Sequence, residues 1–231
     1  MRLDPIESQF RSTLEPTPRG TVLFADLRGY VGMAERLAPS YLASLLDEFF
    51  GVLTVSVELH GGEVYHTAGD ALMAGFGLSG AESDGASAAL RAGCEMLANF
   101  TPLAERWRRE AHIEAGLGVG LHLGEVALAT FGPPTRRVLT LVGDTPNVAA
   151  RLCSRARAGE VLFSCSVATA LQARSRSEPL SVQSPGGFAF LQLPRFELRG
   201  RREPLDIWCV PAPHRAGVLP GFELRSAEHW Q

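Results

Sequence analysis

The stretch Val64-Tyr65-His66-Thr67-Ala68-Gly69-Asp70-Ala71-Leu72-Met73-Ala74-Gly75-Phe76 constrains this chain more than any other. Two apolar, β-prone runs meet at a Gly-Asp pair, the local signature of a tight hairpin. Such a turn lifts the Asp70 carboxylate clear of the sheet. A carboxylate held there by backbone geometry suits a divalent cation once a second acidic side chain arrives from a neighbouring strand. Asp26 is the candidate partner, because it closes the apolar run Thr21-Val22-Leu23-Phe24-Ala25 and precedes the turn-prone Leu27-Arg28-Gly29.

Around the hairpin the chain alternates strands and helices. Thr21 to Leu27 is nearly all apolar and belongs at the centre of a sheet. A helix is expected from Pro39-Ser40 towards His60: Leu42, Leu45, Leu46, Phe49 and Leu53 keep helical spacing, proline suits the first turn, and Gly61-Gly62 ends it. After a polar loop from Ser79 to Gly85, Leu90, Cys94 and Leu97 share one face of a second helix over Ala86 to Arg109. Ile113 to Leu123 and Val126 to Phe131 read as strands paired about Gly124, and Val138 to Val142 as a further strand. Asp144 opens a third helix, with Pro146 in its first turn. Val161 to Ser164 reads as a short strand, Val167 to Ala173 as a short helix and Arg174 to Gly187 as a loop. Phe188 to Leu198 and Leu205 to Val210 form a closing strand pair. Strand, helix, hairpin, helix, strand is the βαββαβ order of a ferredoxin-like α+β sheet. The expected organisation is a leader or linker over residues 1–19, one domain over 20–210 and a tail over 211–231.

Composition removes several function classes. With 45% hydrophobic and 20% charged residues over 231 positions, the chain has enough apolar material for a sizeable core. Its net charge of −3, with acids and bases mixed, gives no polyanion-binding surface, so no nucleic-acid partner is expected. Cys94, Cys153, Cys165 and Cys209 lie far apart without CxxC spacing, as free thiols of a reducing, cytoplasmic compartment would. No signal-type apolar stretch begins the chain. No membrane span is expected either, since the run Ala115 to Phe131 is broken by His122 and Glu125.

Three blocks occur in a fixed order: Phe24-Ala25-Asp26-Leu27-Arg28-Gly29-Tyr30, Gly69-Asp70-Ala71-Leu72-Met73-Ala74, and Val142-Gly143-Asp144-Thr145-Pro146-Asn147-Val148-Ala149-Ala150-Arg151-Leu152. In this combination, from roughly Gly20 to Val210, the chain resembles the catalytic domain of class III nucleotidyl cyclases, the adenylate and guanylate cyclases. The resemblance implies a homodimer with composite sites between subunits. It implies that Asp26 and Asp70 bind two divalent cations, Mg²⁺ or Mn²⁺, with the Leu27 carbonyl as a further ligand. Two such cations deprotonate a ribose 3′-hydroxyl and neutralise a triphosphate. Asn147 and Arg151 match the transition-state pair, orienting the ribose and meeting charge on the α-phosphate. Their i, i+4 spacing puts both on one helical face.

The remaining assignments are also implied by the resemblance. The backbone of Arg28, Gly29, Tyr30 and Val31 offers a small phosphate-binding nest, although the family usually has Phe-Thr where Tyr30-Val31 stand. Arg199 matches the place of a lysine against the terminal phosphates, or else is a basic residue in a surface turn. For base recognition, adenylate cyclases usually carry Lys and guanylate cyclases Glu where this chain has His66. The partner position is Thr140, a common bacterial adenylate-cyclase choice. A neutral imidazole donates to adenine N1 or accepts from guanine N1–H, and a hydroxyl does both, so the chemistry admits either purine. His66 as a plain strand-surface residue is the other reading. The expected activity is conversion of ATP to 3′,5′-cyclic AMP and pyrophosphate. The alternatives are a cyclase acting on GTP or another nucleotide, and a degenerate module that binds nucleotide or dimerises. His122 and Glu125 are read as structural, and the Gly-Gly-Asp/Glu-Glu-Phe hairpin of diguanylate cyclases is missing.

Overall fold

The computed structural model describes residues 18–78, 85–133, 135–174, 190–197 and 203–211. The expected leader up to residue 17, loop residues 79–84 and 175–187, Arg199 and the tail from residue 212 lie outside the described residues.

The apolar run around Leu23 becomes β1 (Arg19–Arg28), which lies between two antiparallel neighbours. One is β3 (Ala71–Phe76), joined by the hairpin to β2 (Glu63–Ala68). The other is β4 (Gly116–Glu125), paired with β1 along its whole length from Arg19↔Glu125 to Arg28↔Gly116. The order β2-β3-β1-β4 is the expected ferredoxin-like core. The sheet continues through β7 (Glu160–Ser164), parallel to β4, and then β9 (Leu205–Val210) and β8 (Leu191–Phe196), giving seven strands among the described residues.

One expected pairing is corrected. β4 does not turn back at Gly124 to pair with β5 (Ala127–Phe131); β5 pairs instead with β6 (Val138–Val142) in a separate two-stranded ribbon. The alternation Leu117, Val119, Leu121, Leu123 on the core side holds β4 in the main sheet through Gly124. A short helix also appears where only a turn was expected. It is α1 (Tyr30–Arg36), entered through Gly29 at φ 93. A side chain there would meet the Glu114 carbonyl oxygen at 2.5 Å.

Period-two burial divides the sheet. Leu23, Ala25 and Leu27 of β1 enter the main core under α2 (Pro39–Leu59) and α3 (Ala86–Ala111). There Phe49, Phe100 and Trp107 stack edge to face, with centroids 5.4 and 5.7 Å apart. Val22 belongs to a smaller cluster on the opposite face, with Met73, Val126, Leu141 and Ala149. That face is covered by α4 (Asp144–Arg155). A fifth helix, α5 (Cys165–Arg174), packs by β4 and β9 on the main-core side through Val167 and Ala168.

α4 lies unusually close to β4, and the sequence shows why. Gly116, Gly118, Gly120 and Gly124 alternate with the buried leucines and valine, so the α4 side of β4 is almost bare backbone. A Cβ on Gly120 would stand 2.7 Å from Cys153 Cα, and closer still to its amide nitrogen and to the Ala149 carbonyl oxygen. A Cβ on Gly124 would stand 2.5 Å from Thr145 Oγ1. The glycine stripe is therefore the seat of the helix.

Candidate active site

Asp70 is the second residue of the two-residue turn between Ala68 and Ala71. Gly69 takes φ 59 and Asp70 stays at negative φ, the glycine-first arrangement of a type II′ hairpin. Pairing of β1 with β3 sets Asp26 opposite Ala71, and the Leu27 amide donates to the Asp70 carbonyl at 3.1 Å. Two carboxylates from different strands thus share one end of the sheet, each half-buried. The side chain of Leu27 is buried in the main core, leaving only its backbone to the site.

This donor set fits the expected cations. It is hard oxygen, and among the described residues no group of three or more His, Cys, Asp or Glu side chains gathers into a cage. Mg²⁺ is commonly held by one or two carboxylates, with substrate phosphates and water completing its shell.

Arg28 has a role that its sequence position does not disclose. It follows Asp26 by two, on the α4 face of β1. Its Nη1 donates to Asp26 Oδ2, its Nη2 to the Cys153 carbonyl, and its Nε to the Ala156 carbonyl at 3.1 Å. The last two acceptors belong to the C-terminal turn of α4, the negative end of the helix dipole. The guanidinium lies over Gly118, whose added Cβ would meet Cζ and Nε at 2.9 Å. Arg28 therefore ties the metal-candidate carboxylate to the end of α4, and only its backbone is left for a phosphate. Beside it the Cys153 thiol, bonded to the Gly118 carbonyl at 3.3 Å, is pushed up to about 11 by burial, against a lowering pull from Arg28.

α4 begins at Gly143, and the Thr145 hydroxyl donates to the Glu125 carbonyl at 2.6 Å, fixing its start against the end of β4. Thr145, Val148, Ala149, Leu152 and Cys153 are buried towards the sheet, whereas Asn147 and Arg151 are exposed on the face turned away. The expected i, i+4 pair is thus formed. The structure joins Asp26 to Asp70 but leaves Asn147 and Arg151 on the outer side of the helix.

His66 is exposed on β2 and Thr140 half-buried on β6, and β2 packs against β6. Leu141, next to Thr140, turns into the smaller cluster, so Thr140 faces the other side of its ribbon. In α1, Tyr30 packs partly on the main core and Val31 is 70% exposed. His122 is buried and bonds through Nδ1 with Ser164 Oγ at 2.7 Å, while the Ser166 hydroxyl donates to the Leu123 carbonyl at 2.7 Å. The Glu125 carbonyl holds Thr145, so the backbone of one residue and the ring of the other contribute contacts to the framework. The glycine stripe escaped the sequence reading, although its signal, glycine at four of five alternate positions from 116 to 124 with His122 as the exception, stands in the sequence.

The fold and the paired carboxylates define a class: a ferredoxin-like domain with two carboxylates at one sheet end and a polar helix face elsewhere on its surface. The family described as the adenylate and guanylate cyclase catalytic domain matches residues 13–210, and the chain belongs to it. An adenylate cyclase of Anabaena cylindrica is 29% identical over 144 residues, which are 59% of this chain and 27% of that protein. The chain spans 23% to 33% of the length of the curated relatives compared with it. Among solved structures, the adenylyl cyclase CyaB from P. aeruginosa superposes with TM-score 0.73 at 24% identity, over 84% of this chain and 93% of that one. The guanylyl cyclase Cya2 does so with TM-score 0.70 at 24% identity, over 83% and 91%. Both kinds of cyclase therefore share the fold.

Proposed function

We propose that this chain is a homodimeric adenylate cyclase that converts ATP to 3′,5′-cyclic AMP and pyrophosphate. The observation that carries the reading is the pairing of Asp26 with Asp70 through the Leu27 amide, at the end of a rigid sheet. In this reading Asp26, Asp70 and the Leu27 carbonyl hold two Mg²⁺ or Mn²⁺ ions. When bound, these supply the charge that neutralises the triphosphate and acidifies the 3′-hydroxyl. The 3′-oxygen forms a bond to the α-phosphorus, the bond from that phosphorus to the β-phosphate bridging oxygen breaks, and the hydroxyl proton leaves to solvent. Asn147 orients the ribose, and Arg151 offsets charge developing on the α-phosphate. Backbone amides of Arg28, Gly29, Tyr30 and Val31, with Arg199, take the remaining phosphates, and His66 and Thr140 read the base.

The outward face of Asn147 and Arg151 supports a composite site, in which they serve the carboxylates of a second copy. The β5–β6 ribbon supports such a dimer too. Phe131, Val138 and Val142, on the face of the ribbon opposite Leu141, are each between 39% and 57% exposed, an apolar surface suited to a partner. Four free cysteines support a reducing, cytoplasmic setting. No helix among the described residues is long and apolar enough to cross a membrane.

GTP is the second reading, favoured by the exposed His66, whose imidazole accepts as readily as it donates. The deciding experiment incubates the protein with Mn²⁺ and each of the four ribonucleoside triphosphates, with product identification by mass spectrometry and Asp26→Ala and Asp70→Ala controls. Cyclic AMP from ATP, lost in both controls, is the expected result. Preferential cyclic GMP moves the assignment to guanylate cyclase. Nucleotide binding by a dimer with no product from any triphosphate overturns the enzyme reading in favour of a binding module.

A further inference from the structure

β2 is not a regular strand. Val64 pairs with Ala74 and His66 with Met73, so one extra residue, Tyr65, is inserted opposite a single step of β3. The insertion decides where His66 points. Val64 and Ala74 face the main core beneath α2 and α3. Under strict alternation His66, two residues on, would face the same way. The bulge reverses this: His66 stands opposite Met73, which is on the α4 face together with Val22 and Ala149. Asp26 opposes Ala71, two residues from Met73, so the imidazole and the carboxylate occupy one side of the sheet.

The bulged residue is itself fastened. The Tyr65 ring packs against the cluster of Val22, Met73, Val126, Leu141 and Ala149, and it lies over Gly75 together with Leu78: a Cβ there would stand 2.5 Å from Leu78 Cδ1, 2.9 Å from Tyr65 Cε2 and 3.2 Å from Leu141 Cδ1. Its hydroxyl donates to Glu63 Oε2 at 2.8 Å. Burial and that carboxylate push the phenol up to about 12, so it remains a donor throughout the neutral range. Leu141 is the neighbour of Thr140. One ring therefore braces the strand of His66 against the strand of Thr140.

We propose that Tyr65 is a positioning residue for base selection: its bulge turns His66 to the nucleotide face, and its ring holds β2 against β6. The inference rests on the reading of His66 as a base contact. It assigns selectivity to a residue that touches no substrate.

The test is a double-mutant cycle read as the ratio of kcat/KM for ATP to kcat/KM for GTP, measured in wild type, His66→Ala, Tyr65→Ala and the double variant. Loss of a base hydrogen bond is worth about tenfold in this ratio. Tyr65→Ala is expected to move the ratio about as far as His66→Ala, the double variant no further, and Tyr65→Phe, which keeps the ring, to retain the wild-type ratio. Gly75→Ala in a Leu78→Ala background, which removes the nearer obstacle at 2.5 Å, displaces the ring from the neighbouring strand and is expected to move the ratio in the same direction relative to Leu78→Ala alone; it carries the test if Tyr65→Ala does not fold. Equal losses with ATP and GTP, leaving the ratio within twofold of wild type, would overturn the proposal, as would effects of Tyr65 and His66 that multiply. An inactive wild type would sink the cyclase reading and this inference with it. An active wild type whose ratio ignores Tyr65 and Gly75 sinks this inference alone.

Discussion

Gly120→Ala is the sharpest probe of how this molecule holds α4. A methyl group added there would stand 2.7 Å from Cys153 Cα, where ordinary contact begins at 3.4 Å, and nearer still to two backbone atoms of α4. None of these belongs to a flexible side chain, so the helix itself must retreat by about 1 Å, against the packing that interiors require. Gly→Ala in an unobstructed strand gains about 0.5–1 kcal/mol. Here overpacking costs about 3 kcal/mol, for a net loss of about 2 kcal/mol. The retreat also carries Asn147 and Arg151, and under the proposed roles of these two a 1 Å misplacement costs about 10²-fold in rate. Urea unfolding followed by circular dichroism, with turnover of ATP, measures both. Gly51→Ala is the built-in control: it lies inside α2 with nothing within 4 Å of its added Cβ, so the same change stabilises by about 0.5–1 kcal/mol. If Gly120→Ala unfolds within 0.5 kcal/mol of wild type and keeps its rate, the close seating of α4 on β4 is refuted.

Arg28→Lys keeps a cation near Asp26 but not the planar fork that also reaches the Cys153 and Ala156 carbonyls. With the two side chains 25% and 29% exposed, a loss of about 2 kcal/mol in thermal unfolding is expected, and an unchanged melting temperature would contradict the tie. The buried thiols set an alkaline limit. Cys153 and Cys94 are raised from 9.0 to about 11 and about 12, and Cys209 is also raised, in each case chiefly by burial. The unfolded chain therefore releases protons first, so stability is intact below pH 9 and falls as pH rises through the folded values, by up to about 1.4 kcal/mol per pH unit per thiol. Urea midpoints at pH 8 and pH 10 under reducing conditions check the sign. Mixing Asp70→Ala with Arg151→Ala tests the composite site: random exchange makes half the dimers mixed, each with one intact site, and restores about a quarter of the wild-type rate. No activity above either variant alone would show that both sets of residues act within one subunit.

The ferredoxin-like order was legible because it rests on local signals. An apolar run, a Gly-Asp turn and helical spacing at Leu42, Leu45, Phe49 and Leu53 each suffice within a few residues. The partners of a strand are not local. Gly124 resembles a hairpin turn in sequence, yet the Arg19↔Glu125 register carries β4 past it, and the turn signal loses to ten residues of pairing with β1. α1 was missed for a related reason: its seven residues include Gly32, its first turn has no acidic residue, and Gly29 supplies no side-chain cap. At the site, Asp26 and Asp70 could be matched because the hairpin places one and the central strand the other. The work of Arg28 could not, because its carbonyl acceptors lie 125 and 128 positions away. The bulge at Tyr65 is likewise invisible until β3 is laid beside β2.

The α4 face of β1 changes character along its length, and that change explains why the site lies where it does. Val22 and Phe24 belong to a small apolar cluster, whereas Asp26 and Arg28, the next positions on the same face, are ionic. A carboxylate at Phe24 would meet an apolar floor, and its desolvation would cost several kcal/mol without compensation. At Asp26 the pairing of β1 with β3 reaches its end, opposite Ala71. The side chain there is half-buried, and both carbonyl groups of the α4 terminus balance the guanidinium beside it. Half-burial keeps the cost of charging low, while β1, the hairpin and the end of α4 still fix the carboxylates from three sides. The next position on this face, Arg28, pairs with Gly116 of β4 beyond the stretch paired with β3, and after it the chain leaves the sheet through Gly29. Residue 26 is thus the position on this face where a half-buried carboxylate stands beside the hairpin that carries Asp70.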